Sequence, residues 1–136
     1  MHPAIRPGAE FSRSFTVDEG RAIGFMGPQL RVYATPSIVH DLETTCRKWL
    51  LGHIDAGEDS VGVRVEIEHR RPTPLHMSVT HQARVVAVDR GRVSFEIVVR
   101  DAVEEVARAS HQRMIVEKNR LAAAIEAKRA KMGAQP

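Results

Sequence analysis

Aromatic residues are scarce in this 136-residue chain, at 4%. A core must therefore be built mainly from the Val, Ile, Leu and Ala within its 43% hydrophobic content. The single cysteine, Cys46, excludes an intrachain disulfide and a cysteine zinc cluster. His76, His81 and His111 have no metal-ligand spacing, so neither a metal nor a cofactor is expected. No apolar run approaches membrane-spanning length, and the N-terminus lacks a signal-peptide apolar region. These absences predict a soluble, cytoplasmic protein with no membrane partner. The net charge of +3 permits a phosphate-bearing ligand. It does not demand nucleic acid, and no helix-turn-helix or aromatic-and-basic platform is present. The length predicts one domain over residues 1–136.

The stretch from Thr35 to Ile54 is the best helix candidate in the first hundred residues. Thr35 suits a cap and Pro36 the first helical position, where no N–H is needed. Ile38, Leu42, Cys46 and Trp49, with Val39 and Leu50 beside them, share one face at helical spacing. Gly52 and Asp55-Ala-Gly57 end the pattern. Cys46 lies on that face and reads as a small core residue. Trp49 should be buried between helix and sheet. Glu43 falls on the flank of the apolar stripe, either at the edge of solvent or half-buried in a site.

Residues 1–8 read as a flexible lead and Glu10–Val17 as a strand. Asp18–Arg31 is poorly patterned, with Ile23, Phe25 and Met26 as apolar anchors among glycines. It reads equally as a connector and as a lid over a pocket. From Ser60 to His69 the chain alternates, with Val61, Val63, Val65 and Ile67 in one phase and His69 continuing it. The turn residues Arg70 to Pro74 then break the strand. Met77–Val88, Arg92–Arg100 and Glu105–Glu117 are three further strands with short turns between them, which implies an antiparallel meander. Residues 118–136 form a helical tail. The predicted class is α+β, a curved antiparallel sheet wrapped around one long central helix. Ser60–His69 suits an edge strand, and pairing it with its copy would give a two-fold homodimer.

This order resembles the hot-dog fold, and the residues narrow the resemblance. Tyr33-Ala-Thr35, Glu43, Gly62, His69 before a Thr-Pro turn, and Ser-His-Gln-Arg113 are similar in kind and spacing to the fluoroacetyl-CoA thioesterase family. The resemblance implies hydrolysis of a short-chain or small acyl-CoA thioester. It implies Thr35, Glu43 and His69 as the catalytic group, with Gly62 and Arg113 lining the substrate site. The loop 18–34 is shorter than in the fluoroacetyl-specific enzyme. Phe25 is its only phenylalanine, which argues against fluoroacetyl selectivity.

Thioester hydrolysis requires an activated nucleophile and a place for the oxyanion. His69 can take a proton from Thr35 or from water, and Glu43 can orient His69, activate water or attack directly. N–H groups at the helix start, or that of Gly62, can receive the oxyanion. In one straight helix Thr35 and Glu43 stand about 12 Å apart along the axis. Either Thr35 folds back or the site joins two subunits. His69 and Glu43, directly or through a water, are expected to line one pocket with Thr35 at its mouth. Arg70 and Arg71 are candidates for the phosphates of coenzyme A or a solvated pair. The competing readings are a non-catalytic acyl-CoA binding or sensing module and an acyl-thioester dehydratase of the same fold.

Overall fold

The computed structural model describes residues 2–133. Strand β1 (Glu10–Thr16) leads through a 3-10 turn (Glu19–Arg21) to helix α1 (Thr35–Leu51). Strands β2 (Glu58–His69), β3 (Ser78–Asp89), β4 (Arg92–Arg100) and β5 (Glu105–Glu117) follow, then helix α2 (Lys118–Met132). All five strands form one antiparallel sheet in the order β1-β3-β4-β5-β2. The short connections after β3 and β4 leave each strand no reach beyond its neighbour, which produces the β3-β4-β5 meander. Strands β1 and β2 take the two edges. Of the tail expected over 118–136, residues 118–132 are helical and none of them is buried, while 134–136 lie outside the described residues.

Helix α1 lies against the sheet. Ile38, Leu42, Cys46 and Leu50 are fully buried, in one cluster with Val79, Val85, Val93, Phe95, Ile97 and Val99 of β3 and β4. The apolar spacing read from the sequence is the packing face, with two additions: Asp41 and Thr45 are also buried on it. Thr45 returns its hydroxyl to the Asp41 carbonyl at 2.7 Å, which satisfies it within the helix. Trp49 departs from expectation. It is half-buried and stacks on Phe11 of β1, with ring centroids 4.6 Å apart and planes 3° from parallel. The lead is not loose either. Ile5 is buried in the core, and the Gly8 N–H donates to the Val85 carbonyl at 2.8 Å.

Strand β2 holds the largest correction. Its register against β5 shifts between Gly62 and Arg64, a β-bulge at Val63. Before the bulge Ser60 and Gly62 lie opposite Ile115 and Arg113; after it Val65, Ile67 and His69 lie opposite His111, Ala109 and Ala107. Since opposed residues share a face, and Arg113, His111, Ala109 and Ala107 are buried, these β2 positions face the helix. Val61 and Val63 therefore turn outward and are 37% and 44% exposed. One extra residue reverses the phase of half the strand.

Because Trp49 keeps part of its ring in solvent, Trp49→Ala should cost about 2–3 kcal/mol, short of the ~3–5 typical of a fully buried tryptophan. Urea unfolding of Trp49→Ala, Phe11→Ala and the double variant measures this. The double variant should lose less than the sum of the two, since the rings stack on each other and share Phe95 as a neighbour.

Candidate active site

Thr35 begins α1, but Ala34 is the cap and makes no side-chain capping bond. The expectation that Thr35 caps the helix is thus overturned, and its hydroxyl is free to turn elsewhere. It meets His69 Nδ1 at 2.7 Å. This bond joins the first residue of the helix to the last of β2. Thr35 is exposed and His69 half-buried. Partial burial holds the His69 imidazole below its ordinary pKa, with a backbone hydrogen bond to Arg71 opposing. His69 is therefore mostly a neutral base at pH 7. The first bond of the helical ladder runs from the Ile38 N–H to the Ala34 carbonyl, so the Ser37 N–H lies ahead of it, at the open end of the helix.

A second cluster surrounds Glu43, two turns along α1. Arg113 of β5 reaches Glu43 Oε2 from Nη1 at 3.4 Å. The rest of its guanidinium is fixed by Ser60, through Nε to Oγ at 2.7 Å and Nη2 to the carbonyl at 2.9 Å. His111 donates from Nδ1 to the Arg64 carbonyl at the bulge, 2.8 Å away, which leaves Nε2 as an acceptor for Arg113 Nη1 at 3.2 Å. Burial lowers the pKa of both His111 and Arg113, and Glu43 opposes each shift. Gly62 completes the cluster by having no side chain. A Cβ there would stand 2.7 Å from Glu43 Oε2 and 3.3 Å from His111 Cε1.

Within this chain the five residues singled out by the sequence thus make two groups, Thr35 with His69 and Glu43 with Gly62 and Arg113. The direct His69–Glu43 partnership is not formed: His69 bonds Thr35, and Glu43 bonds Arg113. Arg70 and Arg71 are engaged as well, Arg70 with Glu68 and Glu105 and Arg71 with Glu104. Burial pushes the Cys46 thiol up to about 12, which keeps it an inert core residue.

A buried polar group beside the site escaped the sequence reading. Arg21 Nε and Nη2 grip the Asp41 carboxylate at 2.8 and 3.2 Å. The Tyr33 hydroxyl also donates to Asp41, and it lies 3.0 Å from His81 Nε2. Tyr33, Asp41 and His81 are each 1% exposed or less. Burial drives His81 down to about 4 and Tyr33 well above the usual phenol range. The signal was present in the pattern: Asp41 and Thr45 fall inside the helix's apolar stripe, and His81 shares the inward phase of Val79, Ala83 and Val85.

Residues 17–119 match the FlK family, described as fluoroacetyl-CoA-specific thioesterase. The chain belongs to that family. It is a thioesterase, a hydrolase of acyl-CoA thioesters. The fluoroacetyl-CoA thioesterase of Streptantibioticus cattleyicolor is 24% identical over 135 residues, covering 94% of this chain and 97% of the relative. A solved structure of the fluoroacetyl-CoA thioesterase FlK superposes with a TM-score of 0.81 at 25% identity, over 90% of this chain and 96% of that one. A hot-dog-like protein from Thermanaerovibrio acidaminovorans gives a TM-score of 0.83 at 21% identity, over 93% of both chains. The architecture of this FlK-family chain is accordingly the hot-dog fold.

Gly62→Ala tests how tightly the Glu43 cluster is drawn. The nearest atom to the new methyl is the end of a flexible side chain, so the protein should fold with a melting temperature close to that of the parent. Glu43 must move, and with Glu43 in the catalytic group that the resemblance implies, kcat should fall about tenfold or more. Thermal melting and thioesterase assays on the same sample read both effects.

Proposed function

We propose that this protein hydrolyses coenzyme A thioesters of small acyl groups, with Thr35 as nucleophile, His69 as its base, and Glu43 supplied by a second copy of the chain. The observation that carries this reading is the 2.7 Å contact between the Thr35 hydroxyl and His69 Nδ1. A hydroxyl is a weak nucleophile until a base within hydrogen-bond reach accepts its proton, and a neutral imidazole is suited to that at pH 7.

The steps follow from the chemistry. Thr35 Oγ1 attacks the thioester carbonyl while its proton passes to His69. The oxyanion is received by N–H groups at the open start of α1, where the helix dipole also favours negative charge. Collapse expels the coenzyme A sulfur, which takes the proton from His69 and leaves an acyl ester on Thr35. Water, deprotonated by His69 or by Glu43, then attacks that ester. The acid is released and Thr35 regains its proton. Gly62 and Arg113 serve the substrate side, Gly62 by leaving room beside Glu43 and Arg113 by holding that carboxylate in place.

Helix geometry supports the second copy. Eight residues of a straight helix separate Thr35 and Glu43 by about 12 Å, too far for both to serve one carbonyl in one chain. The outer edge of β2 is unpaired in the protomer, and Val61 and Val63 stand exposed on it. Pairing the two β2 edges in a homodimer would cover them and bring Thr35 and His69 of one protomer toward Glu43 of the other. Among the described residues no helix is long and apolar enough to cross a membrane, and the cytoplasm, which holds coenzyme A esters, is the proposed compartment.

The loop before α1 bears on acyl choice. Its base is pinned by Arg31, which bonds the Ile23 carbonyl at 3.0 Å and pairs with Glu19. Its apolar tip stands in solvent, with Phe25 82% and Leu30 56% exposed. Such a tip encloses an acyl group weakly, so acetyl-CoA and fluoroacetyl-CoA should be turned over at comparable rates. A panel of short acyl-CoAs read with a thiol reagent tests both this and the activity. A strong fluoroacetyl preference would refute the open-loop reading.

Folded Thr35→Ala and His69→Ala should each lose roughly 10²-fold or more in kcat. With the lowered His69 pKa, kcat/KM should stay level through neutral pH. It should fall only when acid protonates His69, below the ordinary imidazole value of about 6.5. Mixing decides the shared site. If sites span two chains, Thr35→Ala and Glu43→Ala protomers, refolded together, form mixed dimers with one intact site, recovering roughly a quarter of parental activity on random pairing. No recovery from protomers shown to have mixed would place the site within one chain.

A further inference from the structure

The Arg21–Asp41–Tyr33–His81 group, buried apart from the partly exposed Arg21, takes no part in the reaction steps above, and burying a carboxylate is not by itself a gain in stability. Buried ion pairs can commonly be replaced by apolar side chains of similar volume without loss of stability. This group also carries a defect. An ion-paired carboxylate only accepts, so the single Tyr33 hydroxyl proton points to Asp41. The Tyr33 oxygen must then accept from His81 Nε2–H. A neutral His81 protonated at Nε2 bears only a lone pair at Nδ1, and that buried atom has no hydrogen-bond partner among the described residues. An arrangement that leaves a polar atom unsatisfied calls for another reason.

Its placement supplies one. Tyr33 stands two residues before Thr35. Its N–H donates to the Thr73 carbonyl at 2.9 Å, and the next residue, Ala34, donates its N–H to the Arg21 carbonyl at 2.8 Å. Thr73 is itself tied to Asp101 at 2.9 Å, in the connection that follows His69. Arg21 is fixed a third way, over the Phe15 ring at 4.9 Å from its centroid. The segment entering α1 is thus held by its backbone on two sides and by the Tyr33 ring at its centre. Thr35, which makes no cap bond, is aimed at His69 by what precedes it.

We infer that Tyr33, with Arg21, Asp41 and His81 behind it, is a positioning residue that sets the Thr35 hydroxyl against His69. The inference rests on Thr35 being the reacting hydroxyl. The four side chains touch no substrate. Their effect passes through the backbone of residues 33–35, where a displacement of a fraction of an ångström would lengthen a 2.7 Å contact.

A double-mutant cycle tests it. Tyr33→Phe keeps the ring and removes only the hydroxyl. It should lower kcat about tenfold, with KM within about twofold, because orientation and not binding is lost. In a Thr35→Ala background the same change should alter the residual rate less than about twofold, since nothing remains to be aimed. His81 gives a second route should Tyr33→Phe not fold. His81→Gln retains an N–H for the Tyr33 oxygen and should keep kcat within about twofold, whereas His81→Leu should lose about tenfold, again only when Thr35 is present. Equal losses in both backgrounds, or no loss on Thr35, would overturn the positioning role and leave the proposed chemistry standing. Parental activity in folded Thr35→Ala would overturn both together.

Discussion

A straight helix fixes the distance between any two of its residues, and this structure depends on that constraint. Ile38, Leu42, Cys46 and Leu50 press α1 into the sheet along most of its length. The helix can neither bend nor slide without opening the core, because close-packed interiors do not deform continuously. Thr35 at its first turn and Glu43 two turns on are therefore held apart by about 12 Å. Each gathers its own partners, His69 at the end of β2 and Arg113 on β5. Both groups lean on β2, the strand at the open edge of the sheet. Under the two-chain reading, the edge that would pair in a dimer is also the edge that carries the chemistry.

The bulge in β2 gives this strand its two roles. Without the extra residue at Val63, a strict alternation that brought His69 to the helix side would have brought Val61 and Val63 with it, and would have sent Ser60 and Gly62 outward. With it, Ser60 clamps Arg113 and Gly62 leaves space for Glu43, while His69 still ends the strand on the helix side. The bulge carbonyl, that of Arg64, is not wasted: it fixes the His111 tautomer. The valines displaced outward leave an apolar strip on an unpaired edge, a combination that natural sheets usually cover.

The fold was legible because its signals were local and repeated. Short turns at 90–91 and 101–104, period-two strands and one period-3.6 stripe specify a meander with a single helix to cover. The candidate residues Thr35, Glu43, Gly62, His69 and Arg113 follow from the family resemblance, but their division into two groups does not. Val-Gly-Val-Arg-Val alternates so cleanly that the bulge within it leaves no mark except the glycine, a weak sign in mid-strand. Thr35 was read as a cap because its position and hydroxyl suit one; that Ala34 takes the place depends on the hydrogen bonds of residues 21 and 73, far away in sequence. Asp41 and His81 were overlooked for a different reason. Their positions on buried faces were readable, but the partners that make burial of a carboxylate tolerable come from elements whose relative placement only the fold determines.

The two groups also differ electrically, and the difference bears on how they would work. Glu43 meets a guanidinium inside its own chain, so its charge is balanced before any partner arrives. Among the described residues no carboxylate stands beside His69 to stabilise its cation, and partial burial favours the neutral ring. A carboxylate brought against His69 would raise the imidazole pKa and stabilise the imidazolium that forms when the Thr35 proton is taken. Within one chain Glu43 stays with Arg113, and on the proposed reading His69 meets the Thr35 proton as a neutral ring. On that reading, the rigid helix keeps the two groups apart within one chain, and pairing of two chains brings the carboxylate of one to the neutral imidazole of the other.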